Sequence, residues 1–482
     1  MTDGRPHGVR TAVLQMGAAR IVSLLAAAGA LLILARLLPP SVFGVFAIIA
    51  AVVALLEEAC AFGLRHYLVR EKNLADGSYA QAAGLCAALC VLVTLVVAAG
   101  LFAAAPLLTV TQRDAGLLAL LALAALPLAL PIEAALQREM RFGLLASASA
   151  LRAALEAGIA IILALTGAGL LALVVGLVAG RAGGTLLLLA AGRRLAVLPS
   201  LAGWRRFGRF GGQVTTASLL PQIVTVLTDV TVAGALGAAT LGLFDRARRI
   251  AGLLDQVVME GLKPIALPAI TRALADGMPR ARLYGLKVEI LAGLCWPVFA
   301  GIAVFSEPLV RVMLGEQWMA AVPALRILAL SGLLLPFMRM AMKFFIAIGA
   351  EATYLRIQAT AQAVQAALIV IAAFVSLEAV CVAVLLGRFA KASLLTRALD
   401  LPKRHLLGPM ARSAGAAAAT VAGGMACVAL FPTPSPAAEL AAAITGCALG
   451  AGLGLLLTGH ALTAFALRAR TGRSLLARGV PS

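Results

Sequence analysis

The sequence predicts an all-α, polytopic membrane protein of about fourteen transmembrane helices, arranged as two parallel six-helix lobes followed by two C-terminal helices. Three observations predict it. Of 482 residues, 62% are hydrophobic and 13% charged, which is more apolar surface than soluble domains bury around their own cores. The apolar residues gather in stretches of about 20, the length that crosses a ~30 Å hydrocarbon layer. A segment near the N-terminus also repeats 198 residues later, with small, aromatic and charged positions in the same order.

Taken in order, the spans begin near Gly17, Val45, Ala83, Ala115, Phe142, Leu170, Thr215, Phe244, Val288, Leu325, Ile357, Ala379, Ser413 and Leu440. The opening "MTDGRPHGVRTAVLQMG" leads into the first of them without the short apolar core and small-residue cleavage site of a signal peptide, so the first helix is expected to serve as its own insertion signal. The outer loops are short, which leaves the membrane-embedded part to do the work.

A net charge of +19 would point to nucleic acid in a soluble protein. Here Lys and Arg sit in loops between apolar spans, which suits the anionic lipids of a membrane face and sets nucleic-acid partners aside. With the basic residues inside the predicted spans set aside, one side carries twenty-five, among them Arg65, Arg70, Arg138, Arg205, Arg206, Arg282 and Arg397, and the other only Arg36, Arg113 and Arg311. Cytoplasmic loops retain positive charge, so both termini are expected in the cytoplasm of a cell whose inner membrane holds the protein. The seven cysteines lie in apolar spans without a CxxC, and the four histidines are scattered. They read as packing residues, and neither metal nor cofactor is expected.

The repeat sets "RLLPPSVFGVFAIIAAVVALLEEACAFGLR" over "GALGAATLGLFDRARRIAGLLDQVVMEGLK" without a gap: Gly44 meets Gly242, Phe46 meets Phe244, Glu57 meets Asp255 and Arg65 meets Lys263. An offset of six helices preserves the in/out sense of each, as in transporters that rock one lobe against the other. The expected division is a first lobe at 1–190, a basic cytoplasmic linker at 191–212, a second lobe at 213–400, and two extra helices with a basic tail at 401–482.

The span beginning at Phe244 is unlike the rest. At about 100° per residue, Asp245, Arg248, Arg249, Gly252, Asp255, Gln256, Glu260 and Lys263 fall on one half, with Arg246 at its margin, and Ala247, Ile250, Ala251, Leu254, Val257, Val258 and Gly261 fall on the other. A charge at bilayer centre costs at least ~2.5 kcal/mol, so the polar half is expected to face a cavity or charged partners. Two readings stand side by side. The charges neutralise one another, Asp245 with Arg249 and Glu260 with Lys263, or the arginines offer planar, permanently charged donors to an anionic, phosphate-bearing cargo.

Glu57 and Glu58 lie deep in the second span, and Glu57 is the repeat partner of Asp255. An intramembrane carboxylate can carry a coupling proton or sodium ion, so Glu57 and Asp255 are the candidates for coupling; a salt bridge to Arg65 or between lobes is the alternative. Arg152 and Glu156 read as an internal pair, and Arg339, Lys343 and Arg388 as either a basic extension of the cavity or cytoplasmic-end anchors. The glycines of "GAGLLALVVGLVAG" have no strand beside them and read as close helix packing, not nucleotide binding.

Three segments carry a family resemblance. "ILARLLPPSVFGVFAI" resembles the first-to-second helix connection of lipopolysaccharide, polysaccharide and lipid-linked oligosaccharide flippases of the multidrug/oligosaccharidyl-lipid/polysaccharide exporter superfamily. "LTDVTVAGALGAATLGLFDRARRI" resembles their seventh-to-eighth connection, and "SEPLVRVMLGEQWMAAVPALRILAL" their ninth-to-tenth. The resemblance implies two six-helix lobes around a central cavity and export of an isoprenoid-pyrophosphate-linked glycan, with a polysaccharide polymerase as a partner. It also implies that arginines of the first, second and eighth helices bind the pyrophosphate, which by position map onto Arg20 and Arg36 of the first helix and Arg246 and Arg249 of the eighth; Arg248 and Lys263 are further candidates for head-group binding. Arg20 and Arg36 read equally as interfacial anchors.

Two other classes compete. An ion-coupled multidrug exporter of the same superfamily would need an acidic or aromatic cavity for cationic drugs, and this chain has an arginine-rich eighth span and 5% aromatics. A membrane glycan polymerase would need a substantial outer loop. The expectation is therefore a transporter, not an enzyme.

Overall fold

The computed structural model describes residues 29–30, 32–71, 74, 77–192, 199–202, 205–339, 341–400, 404–431 and 435–460, with backbone only for 205, 209–210, 213–214, 216–217, 254–269 and 404–406. The described residues form helices and turns, without strands. This follows from the solvent, because a chain in hydrocarbon must satisfy each backbone N–H and C=O within itself.

The helices in chain order are α1 (Pro40–Ala61), α2 (Leu64–Arg70), α3 (Ser78–Ala103), α4 (Val110–Ala119), α5 (Leu126–Arg138), α6 (Phe142–Leu165), α7 (Leu170–Ala191), α8 (Arg205–Leu236), α9 (Ala238–Ala275), α10 (Arg280–Val304), α11 (Ser306–Met313), α12 (Val322–Gly332), α13 (Leu335–Met338), α14 (Ala341–Ala347), α15 (Glu351–Ala373), α16 (Leu377–Ala398), α17 (Arg404–Leu430) and α18 (Pro436–Leu457). Among the described residues eleven stretches are long and apolar enough to cross a membrane, or twelve if the broken span Glu316–Gly332 plus Leu335–Ala347 counts as one. Of the fourteen expected spans, most of the first lies outside the described residues. The eighth, within α9, is too charged to qualify on hydropathy.

The chain forms two compact units, Met1–Gly242 and Leu243–Ser482. In the first, α1 packs on α8, α6 on α7, and α3 on α5. The α6/α7 contact depends on the glycines of α7. A Cβ on Gly176 would sit 2.6 Å from the Glu156 carbonyl oxygen, and one on Gly180 2.7 Å from that of Arg152. Without a hydrophobic force between helices in lipid, close backbone approach through small residues supplies the dispersion contact. Cys60, Cys86 and Cys90 fill the core with Leu64, Leu123 and Phe207, and none of the seven cysteines forms a disulfide. Arg138, at the end of α5, donates to the carbonyl of Leu68 at 2.8 Å and to that of Glu71, which satisfies the C-terminus of α2.

The repeat has a physical counterpart inside the first unit. A Cβ on Gly44 would fall 1.8 Å from the carbonyl oxygen of Ala238, and one on Gly242 1.9 Å from that of Pro40. At an offset of 198, Pro40 corresponds to Ala238 and Gly44 to Gly242. One contact is thus made twice with the roles exchanged, as a two-fold relation between the segments requires.

In the second unit, α17 and α18 pack on each other and on α10. Arg412 of α17 makes a bidentate pair with the buried Glu289 of α10, at 2.8 and 3.0 Å, and Ser413 Oγ lies 3.0 Å from Nε2 of the buried His460. The broken span bends by 45° beside Pro336, which cannot continue the ladder. Carbonyls at the break find side-chain donors: Trp296 Nε1 donates to Leu333 at 2.8 Å, and the Tyr284 hydroxyl donates to Phe337.

Candidate functional site

Two charged constellations stand inside the helical units. The first is built on one turn of α9. Asp245 is 1% exposed and accepts hydrogen bonds from Arg246 Nη2 at 2.6 Å, Arg248 Nη2 at 3.0 Å and Arg249 Nε at 2.8 Å. Helical spacing explains two of these, at i,i+3 and i,i+4; the neighbouring Arg246 folds back to complete the set. The side chain of Arg246 is 7% exposed, against 31% for Arg248 and 49% for Arg249. The guanidinium of Arg248 also lies 5.2 Å from the ring centre of Phe244, a distance suited to a cation–π contact. The one carboxylate and three guanidiniums of this turn carry formal charges that sum to +2.

The second constellation lies in the first unit. Arg181 Nε of α7 meets Glu57 Oε1 of α1 at 2.7 Å, and Arg65 Nη2 of α2 meets Glu133 Oε2 of α5 at 2.7 Å. Both pairs line a cavity of about 400 Å³, together with Glu58, His66, Arg152 and Gln222. Removing charges from water costs several kcal/mol per ion unless they are paired, and placing Glu57 and Arg181 opposite each other on facing helices offsets part of that cost inside an apolar unit.

The structure therefore gathers Arg246, Arg248 and Arg249 around Asp245 and places Glu57 opposite Arg181. Arg36 is exposed at the end of the helical run 32–37. Arg20 lies outside the described residues, as do the side chains of Asp255, Glu260 and Lys263. Asp229 is fully buried in α8, and Arg388 donates to Ser331 Oγ at 2.8 Å. Sequence reasoning passed over Arg181 and Glu133. The available signal was a lone ionisable residue inside an apolar span: Arg181 directly follows the glycine run of α7, and Glu133 sits in "LPIEAAL". Among the described residues no group of three or more His, Cys, Asp or Glu is placed to hold a metal ion.

These features define a multi-pass, all-α membrane protein with ionic clusters built into its helices. The fold resembles that of two solved membrane proteins. The lipid II flippase MurJ in its inward closed conformation matches with a TM-score of 0.72 at 12% identity, over 92% of this chain and 99% of that one. An inward-facing multidrug resistance MATE family transporter of the MOP superfamily matches with a TM-score of 0.61 at 17% identity, over 84% of this chain and 98% of that one.

The chain belongs to the polysaccharide biosynthesis protein family, which it matches over residues 33–323. It is 29% identical over 322 residues to the succinoglycan biosynthesis transport protein ExoT of Rhizobium meliloti (strain 1021). That match covers 63% of this chain and 62% of the relative, so the chain spans less than two thirds of the relative's length. It is also 27% identical over 127 residues to the lipopolysaccharide biosynthesis protein WzxC of Escherichia coli (strain K12), covering 26% of each chain.

Proposed function

We propose that this protein is a flippase that carries a lipid-linked, isoprenoid-pyrophosphate oligosaccharide from the cytoplasmic to the outer leaflet of the inner membrane by alternating access, for cell-surface polysaccharide synthesis. In this reading it is a transporter, not an enzyme. Both termini are cytoplasmic, and the lobes at 1–190 and 213–400 move about the linker at 191–212.

The observation that carries the reading is the Asp245 cluster. Three guanidiniums gather on one carboxylate in a membrane helix, and Arg248 and Arg249 retain exposed surface. Planar donors of this kind match phosphate oxygens. Arg249 and Arg248 then engage the pyrophosphate, with Arg246 anchoring Asp245 beneath them and Arg36, Arg20 and Lys263 completing the basic set. Family membership, with the roles of ExoT in succinoglycan biosynthesis transport and of WzxC in lipopolysaccharide biosynthesis, supports the same cargo class.

Coupling is assigned to Glu57, with Asp255 as its counterpart. A proton taken up by Glu57 removes its attraction for Arg181 across the α1/α7 interface, which links ionisation to helix packing. The multidrug-exporter reading shares the fold, but a cationic drug would be repelled by the arginine cluster.

The test is flipping of a fluorescent lipid-linked oligosaccharide in proteoliposomes. Losing one charged hydrogen bond, worth ~1.5–3 kcal/mol, predicts a fall of about ten- to hundred-fold in cargo affinity for Arg249→Ala and for Arg36→Ala, with a matching fall in flipping at sub-saturating cargo. Normal flipping by both variants would remove the head-group assignment. Joining of glycan units by the purified protein would replace the transporter reading with the polymerase one.

A further inference from the structure

The cavity of the first unit has a different chemistry from the arginine cluster of α9. Its volume of about 400 Å³ lies within the ~300–1,000 Å³ range of small-molecule pockets. Glu57, Glu58 and Glu133 face Arg65, Arg152 and Arg181 around it, so its charges cancel. A phosphate entering it would meet three carboxylates, and a metal cation three guanidiniums. What the lining does offer is carboxylate acceptors alternating with guanidinium donors. A sugar hydroxyl both donates and accepts, so a neutral saccharide satisfies both sets together. The Arg65–Glu133 pair keeps 40% and 27% of its side-chain surface exposed and is thus placed to share its hydrogen bonds with an occupant.

We infer that this cavity is a saccharide subsite that takes a short neutral stretch of the transported glycan. The inference rests on the flippase reading, since it assigns a second part of the same cargo. It separates the work by charge: phosphates go to the cationic cluster and hydroxyls to the balanced cavity.

The test uses the full chain purified in detergent and two probes: a polyprenyl pyrophosphate carrying a neutral hexose disaccharide, and the same lipid without sugar. Binding is read by native mass spectrometry. The wild type is expected to bind the glycosylated lipid about ten-fold more tightly, the yield of one or two net hydrogen bonds. Arg65→Met with Glu133→Gln is expected to erase that preference while leaving affinity for the bare lipid unchanged, which also shows that the variant is folded. Should the double variant melt early, Arg152→Gln is expected to reduce the same ratio. Equal binding of the two lipids by the wild type, or a preference that survives the substitutions, would overturn the subsite. Free disaccharide binding as tightly as the glycolipid would overturn its link to the cargo. Failure of the wild type to bind either lipid would instead remove the flippase reading, and the subsite with it.

Discussion

Replacing Asp245 by Asn tests whether the arginine cluster is held together by its carboxylate. The side chain is 1% exposed and contacts three guanidiniums at 2.6–3.0 Å. The three pairs are not equal. Arg246 is 7% exposed, and taking one partner from a buried pair costs up to ~3–5 kcal/mol because the other charge loses that compensation. Arg248 and Arg249 are 31% and 49% exposed, so solvent screens them and each adds ~0–1 kcal/mol. The loss is therefore about 3–5 kcal/mol and belongs mainly to Arg246. For a unit near 240 residues this is a fall in melting temperature of roughly 6–20 °C, measurable by thiol-dye fluorescence or scanning calorimetry in detergent. Asp245→Asn combined with Arg246→Gln is expected to recover a large part of the loss, since the buried charge is removed together with its carboxylate. A single variant within about 1 kcal/mol of wild type, or a double variant no better than the single, would refute the reasoning.

Gly44→Leu and Gly242→Leu are each expected to destabilise by at least ~1–3 kcal/mol, the overpacking range, and to similar degrees because each strikes a backbone carbonyl of the other segment; unequal melting shifts would count against the two-fold contact. Transport by Glu57→Gln is expected to lose its dependence on the pH or sodium gradient, and a wild-type dependence measured in proteoliposomes would exclude Glu57 from coupling. Arg412→Met removes the bidentate partner of the buried Glu289 and is expected to lower the melting temperature, with Glu289→Gln in the same chain restoring part of the loss. Burial pushes the pKa of His460 below the ordinary histidine range, against the pull of Glu289 and with the push of Arg412. Its neutral form therefore stabilises the fold above about pH 6.5, and that stability is lost as pH falls below it. Melting curves between pH 7 and 5 are expected to show a slope that His460→Gln reduces.

How much of this was legible beforehand differs between elements. The spans from Val45 to Leu440 were readable because lipid imposes length and hydropathy on a helix whatever its neighbours. The pairing of Asp245 with Arg249 was readable because it is local to one helix, whereas the inward turn of Arg246 was not, because its direction depends on what packs against α9. Glu57 was recognisable as an intramembrane carboxylate, but its partner Arg181 lies on α7, far away in the chain, and helical periodicity carries no information across that distance. The repeat showed that Gly44 and Gly242 correspond; only the folded chain shows that they touch.

The sequence by itself determined that this is an all-α membrane protein, that it carries an internal repeat, and that its eighth span is unusually charged. These properties are set residue by residue through transfer from water to hydrocarbon, so they survive in the linear order of the chain. The tertiary structure alone decided which charges neutralise one another, which arginines keep surface free, and where six charged side chains enclose a cavity of no net charge. Those outcomes arise from close packing between distant helices, where a glycine at Gly176 or Gly180 sets the approach of two backbones and so decides which side chains can meet.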